Sequence, residues 1–248
     1  MLSEIERLFY MSVDIKDKIN KSLICIDNFL KKYPKSYVGL SFGKDSIVLM
    51  DLVLKINPEN KIVWVDRGEG GDTPDTFEMF EYYISKGINI ERIMTDKSIF
   101  DILIQNSIED ILQKGLITKN LKQKFKDIQS EYHGFFWGLR AEENKKTRGK
   151  YAKFRGEIWE NKNKKGICSP VLWWTGKDIW AYIIQNGLRY NNHYDIVKKK
   201  DFDREKTRYS NWAGLINIQR GRLWELKRFY PDMFMNLAKI KPEIMHYV

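Results

Sequence analysis

The chain predicts an α/β fold, an open and mostly parallel twisted sheet with helices on both faces, carrying a helical C-terminal appendage. Three observations predict it. Apolar runs of strand length at 37–41, 61–66, 88–94, 135–139 and 167–172 alternate with longer segments of helical periodicity, the pattern of βαβ units. Between the first run and the helix after it lies Ser41-Phe42-Gly43-Lys44-Asp45-Ser46, a strand–turn–helix junction. Proline and glycine fall at the ends of the helical segments, where they start or stop a helix.

Each element follows in order. Residues 4–31 read as one helix, with Ile5, Leu8, Phe9, Ile15, Ile19, Leu23, Ile26, Phe29 and Leu30 on its apolar positions and Pro34 as its stop. Strand 37–41, helix 45–56 and strand 61–66 make a βαβ unit, whose crossover is expected to be right-handed. Helix 74–86 has Pro74 in its first turn and Gly87 at its end. Strand 88–94, helices 98–114 and 118–130, and strand 135–139 come next. The segment 144–166 is the least regular and most charged, and reads as a long loop or an irregular excursion over the edge of the sheet. Strand 167–172 leads to helix 175–186, where Thr175 and Asp178 have capping-box spacing and Gly187 ends the run. The tail 215–248 reads as one or two amphipathic helices around Pro231, with Ile216, Ile218, Leu223, Trp224, Leu226, Phe229, Met233, Phe234 and Leu237 as apolar positions. They serve either to pack on the core or to form a dimer interface. The organisation is thus a helical segment 1–34, an α/β domain 35–212 and a helical tail 213–248.

Composition bounds the function classes. The 248 residues suffice for one substantial core. A hydrophobic content of 43% argues against disorder, and no apolar run approaches the length that spans a bilayer. The N-terminus lacks the basic-then-apolar order of a signal peptide. Two cysteines exclude a disulfide framework and suit a reducing cytosol, so a cytoplasmic protein is expected. The net charge of +10 favours anionic partners. Basic residues gather at Lys145, Lys146, Arg148, Lys150, Lys153 and Arg155, at Lys162, Lys164 and Lys165, and at Lys198, Lys199, Lys200, Arg204, Lys206 and Arg208. Tyr151, Phe154, Trp159, Tyr209 and Trp212 interleave with them. These segments read as a solvated surface, or alternatively as a place for an anionic substrate or nucleic acid.

The loop after Leu40 carries the chemistry. Unpaired amides at a helix N-terminus suit a phosphate. Gly43 admits close approach of a ligand to the backbone. Ser41 and Ser46 offer hydroxyls and Lys44 a point charge. Asp45 fits either as a helix cap or as the holder of a metal that bridges to phosphate. The loop is neither G-x-x-x-x-G-K-[ST] nor G-x-G-x-x-G.

It resembles the pyrophosphate loop S-G-G-x-D-S of the adenine nucleotide alpha-hydrolase (PP-loop) superfamily, with Phe42 in place of the first glycine. A Ser-Phe-Gly version is familiar from phosphoadenosine phosphosulfate (PAPS) reductases and the small subunit of ATP sulfurylase. Further segments resemble the same group. Ile62-Val63-Trp64-Val65-Asp66 followed by Thr73-Pro74-Asp75-Thr76 is similar to its V-D-T-G strand end and P-E-T helix start, with Arg67 where threonine is usual and a longer insert, Gly68-Glu69-Gly70-Gly71-Asp72. Gly138-Leu139-Arg140-Ala141-Glu142-Glu143 is similar to G-x-R-x-x-E/Q-S. Residues 169–183 resemble P-L-x-x-W-T-x-x-D-V-W-x-Y-I, and Leu188-Arg189-Tyr190-Asn191-Asn192-His193-Tyr194-Asp195 parallels L-P-Y-x-P-L-Y-D. The blocks keep the family's order over about residues 37–212.

The resemblance implies a doubly covered α/β sheet and an adenine nucleotide, ATP or a sulfonucleotide, at Leu40, Ser41, Phe42, Gly43, Lys44, Asp45, Ser46, Asp66 and Gly138. Lys44, Asp45 and Arg140 are its implied catalytic residues, and Mg2+ near Asp45 its implied metal. Ser41 and Asp66 end predicted strands and Arg140 directly follows one, which places all three at one edge of the sheet. Arg140 reads as an anion clamp or as an ion-pair partner of Glu142 or Glu143. Glu69, Asp72, His193 and Asp195 are further polar candidates, with His193 either a general acid–base or an ordinary loop histidine.

The family's reductases use a C-terminal E-C-G-[IL]-H cysteine, and no cysteine follows Cys168 here. Cys25 and Cys168 sit in apolar segments and read as structural. Tyr209-Ser210-Asn211-Trp212-Ala213-Gly214 has no C-x-x-C where an iron–sulfur segment would be expected, so no cluster is expected. The expected activity is therefore an AMP-forming ATP pyrophosphatase, a transferase that adenylylates an anionic acceptor. The alternatives are a sulfonucleotide enzyme using an external thiol, and a non-catalytic nucleotide sensor or nucleic-acid-binding regulator. A homodimer or a partner protein is a further expectation.

Overall fold

Alternation along the strands decides which helices cover each face. In the computed structural model, which describes residues 2–144, 148–198, 203–207 and 222–248, the strands are β1 (Ser36–Leu40), β2 (Lys61–Asp66), β3 (Ile90–Met94), β4 (Gly134–Phe136), β5 (Ile158–Glu160) and β6 (Gly166–Cys168). They form one sheet in the order β3-β2-β1-β4-β6-β5. All pairings are parallel except that of the edge strand β5 with β6. Val38, Leu40, Ile62 and Trp64 point into the main core, and their neighbours Tyr37, Val63 and Val65 point to the opposite face, against Ile128. This is the period-two consequence of a pleated strand covered on both sides.

The helices are α1 (Glu4–Met11), α2 (Lys16–Lys32), α3 (Lys44–Ile56), α4 (Pro74–Ser85), α5 (Ile99–Gln105), α6 (Ile108–Lys114), α7 (Leu116–Ser130), α8 (Arg148–Arg155), α9 (Gly176–Gln185), α10 (His193–Lys198), α11 (Arg222–Phe229) and α12 (Pro231–Ile240). Residues of α2, α3, α4 and α9 share the main core. α7 contributes Ile128 to the other face. A second core joins α5 and α6 to α11 and α12 through Ile99, Leu103, Ile111, Leu223, Leu226, Phe234 and Leu237. From β1 the chain winds outward through β2 and β3, then returns to β4 on the other edge of β1. That reversal opens a crevice beyond the carboxyl ends of β1 and β4, the place where such sheets bind ligands.

Several boundaries differ from the expectations. The helix expected over 4–31 is two helices. Gln185 Nε2 donates to the carbonyls of Tyr10 (3.0 Å) and Val13 (2.8 Å), so a tertiary partner satisfies the acceptors exposed by the break. The helix expected over 98–114 divides where Ser107 caps α6, its Oγ accepting the Asp110 amide at 3.1 Å. The segment 144–166 is not one long loop, since it holds α8 and β5, and β5 pairs with β6 as a hairpin. The expected capping box at Thr175 and Asp178 is present. Of the one or two helices expected around Pro231 the structure has two, separated at Tyr230 with Pro231 opening the second, while Ile216 and Ile218 lie outside the described residues. Among the described residues, no helix is long and apolar enough to cross a membrane.

Candidate functional site

β1 ends at the buried Leu40, and the chain turns sharply into α3. Phe42 makes the turn with φ of 55°, the left-handed region where a side chain costs about 1–2 kcal/mol. That conformation accounts for glycine at this place in the S-G-G-x-D-S pattern. Here the ring is fully buried, edge-on to Trp64 at 5.3 Å and Phe80 at 6.5 Å, and burial of a phenylalanine offsets the strain. Gly43 is the N-cap of α3, with no side chain to cap the helix. Ser46 Oγ donates to the Gly43 carbonyl at 2.9 Å. It also accepts from the Ser41 amide at 3.2 Å and lies 3.1 Å from Ser41 Oγ. Among the described residues, no acceptor takes the amides of Phe42, Gly43 and Asp45. Three donors at a helix N-terminus are the elements of an anion cradle.

Charged groups alternate in sign behind this loop. Lys44 is fully buried, and its Nζ donates to the Thr207 carbonyl at 2.6 Å, lies 5.3 Å from the Tyr194 ring centre and 3.6 Å from Asp45 Oδ2. The Lys44 amide donates to the Tyr194 hydroxyl at 3.0 Å. Asp45 Oδ1 accepts from Arg140 Nε at 2.6 Å. Arg140 is buried and its Nη1 donates to Glu142 Oε2 at 2.8 Å and to the Trp174 carbonyl at 3.3 Å. The same Glu142 oxygen accepts the Gly176 amide at 2.7 Å, at the start of α9. Arg140 thus forms the expected ion pair with Glu142, and a second one with the loop. Gly138 lets the segment after β4 approach the start of α3 closely, because a Cβ there would stand 3.3 Å from the backbone of Asp45 and Ser46.

Asp66 ends β2 fully buried. Its Oδ1 accepts the Gly68 amide at 2.8 Å, and its Oδ2 receives Arg92 Nε at 2.8 Å and Nη2 at 2.6 Å. Its carboxylate is engaged by the turn after β2 and by β3, while the Asp66 carbonyl accepts from Thr95. Asp72 pairs with Arg67, Asp195 with Arg204 at 2.8 Å, and the Glu69 carbonyl accepts from Phe100. His193 is buried, with Nδ1 3.0 Å from the Tyr230 hydroxyl, which in turn donates to Asp75. Burial, and then the Arg222 charge, pull the His193 pKa down to about 4, so the ring is neutral near pH 7. Burial raises the Asp75 pKa.

Sequence reasoning singled out His193 and missed four partners of the site: Tyr194, Thr207, Asp75 and Tyr230. Tyr194 and Asp75 lie in the blocks quoted above, so proximity to motif residues was the available signal. Thr207 and Tyr230 had none, because their contacts depend on how distant segments fold back. The expectation about residues 209–214 lies outside the described residues, as do Lys145, Lys146, Lys199, Lys200 and Arg208.

A Mg2+ ion resident on Asp45 does not fit this arrangement. Each carboxylate oxygen already faces a cationic group, Arg140 on one side and Lys44 on the other. Among the described residues, no three His, Cys, Asp or Glu side chains gather as a metal site. The Asp45 carboxylate here neutralises its own basic neighbours.

Comparisons with known proteins place the chain in a family and a fold. Residues 35–197 match the phosphoadenosine phosphosulfate reductase domain. An adenosine 5'-phosphosulfate reductase of Bacillus anthracis is 28% identical over 174 residues, 67% of this chain and 73% of that protein. One of Staphylococcus haemolyticus is 26% identical over 232 residues, 86% of this chain and 91% of that protein. Among solved structures, the PAPS reductase of Candida auris in a phosphate complex superposes with a TM-score of 0.55 at 12% identity, covering 79% of this chain and 93% of that one. The U34-tRNA thiolase of Methanococcus maripaludis with its 4Fe–4S cluster gives 0.53 at 12% identity, over 94% and 80%. These structures share the fold of the PP-loop nucleotide proteins, and the sequence match reaches further: the chain belongs to the phosphoadenosine phosphosulfate reductase domain family.

Proposed function

We propose that the chain binds ATP on the 41–46 loop and cleaves it between the α- and β-phosphorus, passing the AMP moiety to an anionic acceptor. The observation that carries this reading is the trio of amides at Phe42, Gly43 and Asp45, which have no acceptor among the described residues, at the N-terminus of α3 beside the crevice between β1 and β4. A nucleophile on the acceptor attacks the α-phosphorus, the bond to the bridging oxygen breaks, and pyrophosphate leaves with the electron pair. The charge that builds on the leaving group is met by the three amides, by the Ser41 and Ser46 hydroxyls and by Lys44. For Lys44 this means exchanging the Thr207 carbonyl for a phosphate oxygen. Asp45 and Arg140 hold the loop in shape and keep a cation beside it.

A second reading is favoured by the names of the curated relatives, adenosine 5'-phosphosulfate reductases. In that reading the loop holds the phosphate of a sulfonucleotide and a thiol attacks the sulfur. The thiols of this sequence are in contact with each other between α2 and β6, so the attacking thiol comes from a separate molecule.

The test starts with calorimetry of ATP and adenosine 5'-phosphosulfate on the wild type and on Gly43→Val. Gly43 has φ of −77° and ψ of 154°, a conformation any residue adopts, so the variant is expected to fold while its branched side chain fills the phosphate path. Binding to the wild type and loss in the variant supports the loop assignment, and equal binding removes it. AMP and pyrophosphate formed from ATP with an added nucleic acid or another anionic acceptor supports the first reading. Sulfite formed from the sulfonucleotide with dithiothreitol moves the assignment to the second. Binding without turnover leaves a nucleotide sensor.

A further inference from the structure

Cys25 Sγ and Cys168 Sγ lie 3.6 Å apart, though 143 residues separate them in the chain. The sequence places both in apolar segments, and nothing in their local spacing pairs them. Their contact is fixed by how α2 lies along β6 and the turn after it. One helical turn before Cys25, Ser22 Oγ donates to the Pro170 carbonyl at 2.7 Å and accepts from Trp174 Nε1 at 3.1 Å. One turn after it, the ring of Phe29 packs against Phe136 at 4.9 Å and fills the space above Gly134. At the helix end the Tyr33 ring covers Gly166. α2 is therefore held on both sides of Cys25, and Cys168 sits on a strand paired on both edges.

From this geometry we infer that Cys25 and Cys168 form a reversible intramolecular disulfide, a thiol-modification site separate from the nucleotide loop. The two sulfurs already touch, so bond formation needs side-chain rotation and little backbone movement. The pair is also chemically asymmetric. Cys168 is fully buried, and burial pushes its thiol pKa up. Cys25 is partly exposed, and the hydrogen bond from Cys168 lowers its pKa. Cys25 is thus the thiol that meets an oxidant in solution.

The oxidant is a small-molecule disulfide such as oxidised glutathione. The Cys25 thiolate attacks one sulfur, the glutathione S–S bond breaks, and one glutathione thiolate leaves. The Cys168 thiol then loses its proton and attacks Cys25 Sγ, expelling the second glutathione thiolate. Two protein thiols are oxidised, one disulfide is reduced to two thiols, and the two protons pass to the leaving thiolates. The closed loop spans most of the chain, so the bond restricts the unfolded ensemble strongly.

The full-length wild type carries the test. After incubation with oxidised glutathione, thiol titration in denaturant is expected to fall from two groups to none. The intact mass should drop by two hydrogens, and a non-reducing digest should yield one peptide pair joined through Cys25 and Cys168. Thermal unfolding should shift upward, and dithiothreitol should restore every value. Two persistent thiols, or a stable glutathione adduct on Cys25 with Cys168 still free, would overturn the inference. Cys25→Ser provides a second check, since Cys168 in that variant is expected to resist the oxidant in the folded state. Rapid glutathionylation of Cys168 there would contradict the asymmetry on which the sequence of steps depends.

Discussion

Phe42 and the Asp45–Arg140 pair show how single residues set this loop. Phe42 holds a left-handed backbone that glycine would adopt freely, yet its ring fills the core beside Trp64. Phe42→Gly relieves about 1–2 kcal/mol of backbone strain and removes an aromatic ring whose loss costs about 3–5 kcal/mol. Burial wins, and urea unfolding should show a net loss of roughly 1–4 kcal/mol; a more stable variant would mean the strain dominates. Asp45→Asn keeps the shape and removes the charge that faces Arg140. A stability loss of about 1–3 kcal/mol is expected, since a buried guanidinium loses one of its carboxylates. In a double-mutant cycle with Arg140→Gln, the coupling should exceed about 1 kcal/mol. Additive losses would show that the two side chains act independently. A helix cap alone predicts little change for Asn, which caps about as well as Asp.

At the scale of elements, the docking of α12 against the sheet domain passes through Tyr230, which joins buried His193 to Asp75. His193 has a folded pKa near 4, below the ordinary 6.5, so the unfolded chain binds the extra proton first. The stability it protects is fully present above pH 6.5 and is lost as the pH falls toward 4, by at most about 3 kcal/mol. The raised Asp75 pKa acts in the opposite sense, stabilising the fold on acidification, and offsets part of that loss. Urea unfolding at pH 7.5 and pH 5 should therefore give a lower stability at pH 5, and His193→Gln should narrow the difference. An unchanged difference in the variant would assign the acid sensitivity to other groups. This contact also marks the limit of what the sequence discloses. The strands, the loop, the capping box of α9 and the helices around Pro231 follow from local periodicity and end signals. The break between α1 and α2 does not, because the partner that satisfies its carbonyls is Gln185, more than 170 residues away. The antiparallel β5 hides in a charged, short segment whose only strong support is its pairing with β6. The turn from β1 into α3 was legible in its residues, whereas the internal partners of Lys44, Asp45 and Asp66 depend on which strands become neighbours.

For the whole molecule, the sheet order brings early and late parts of the chain together. The strand β1 has β2 on one edge and β4 on the other, nearly a hundred residues later. The face of α2 around Ser22, Cys25 and Phe29 rests on residues 134–174. On a ribosome adding about 5–20 residues per second, that face stays without its cover for roughly 7–30 seconds after α2 has been made. During that interval the nascent chain presents the apolar face of an amphipathic helix and one bare edge of β1. Chaperone capture and aggregation during synthesis are thus expected to concentrate on the N-terminal third, and to cease once the segment that carries β6 and α9 has emerged.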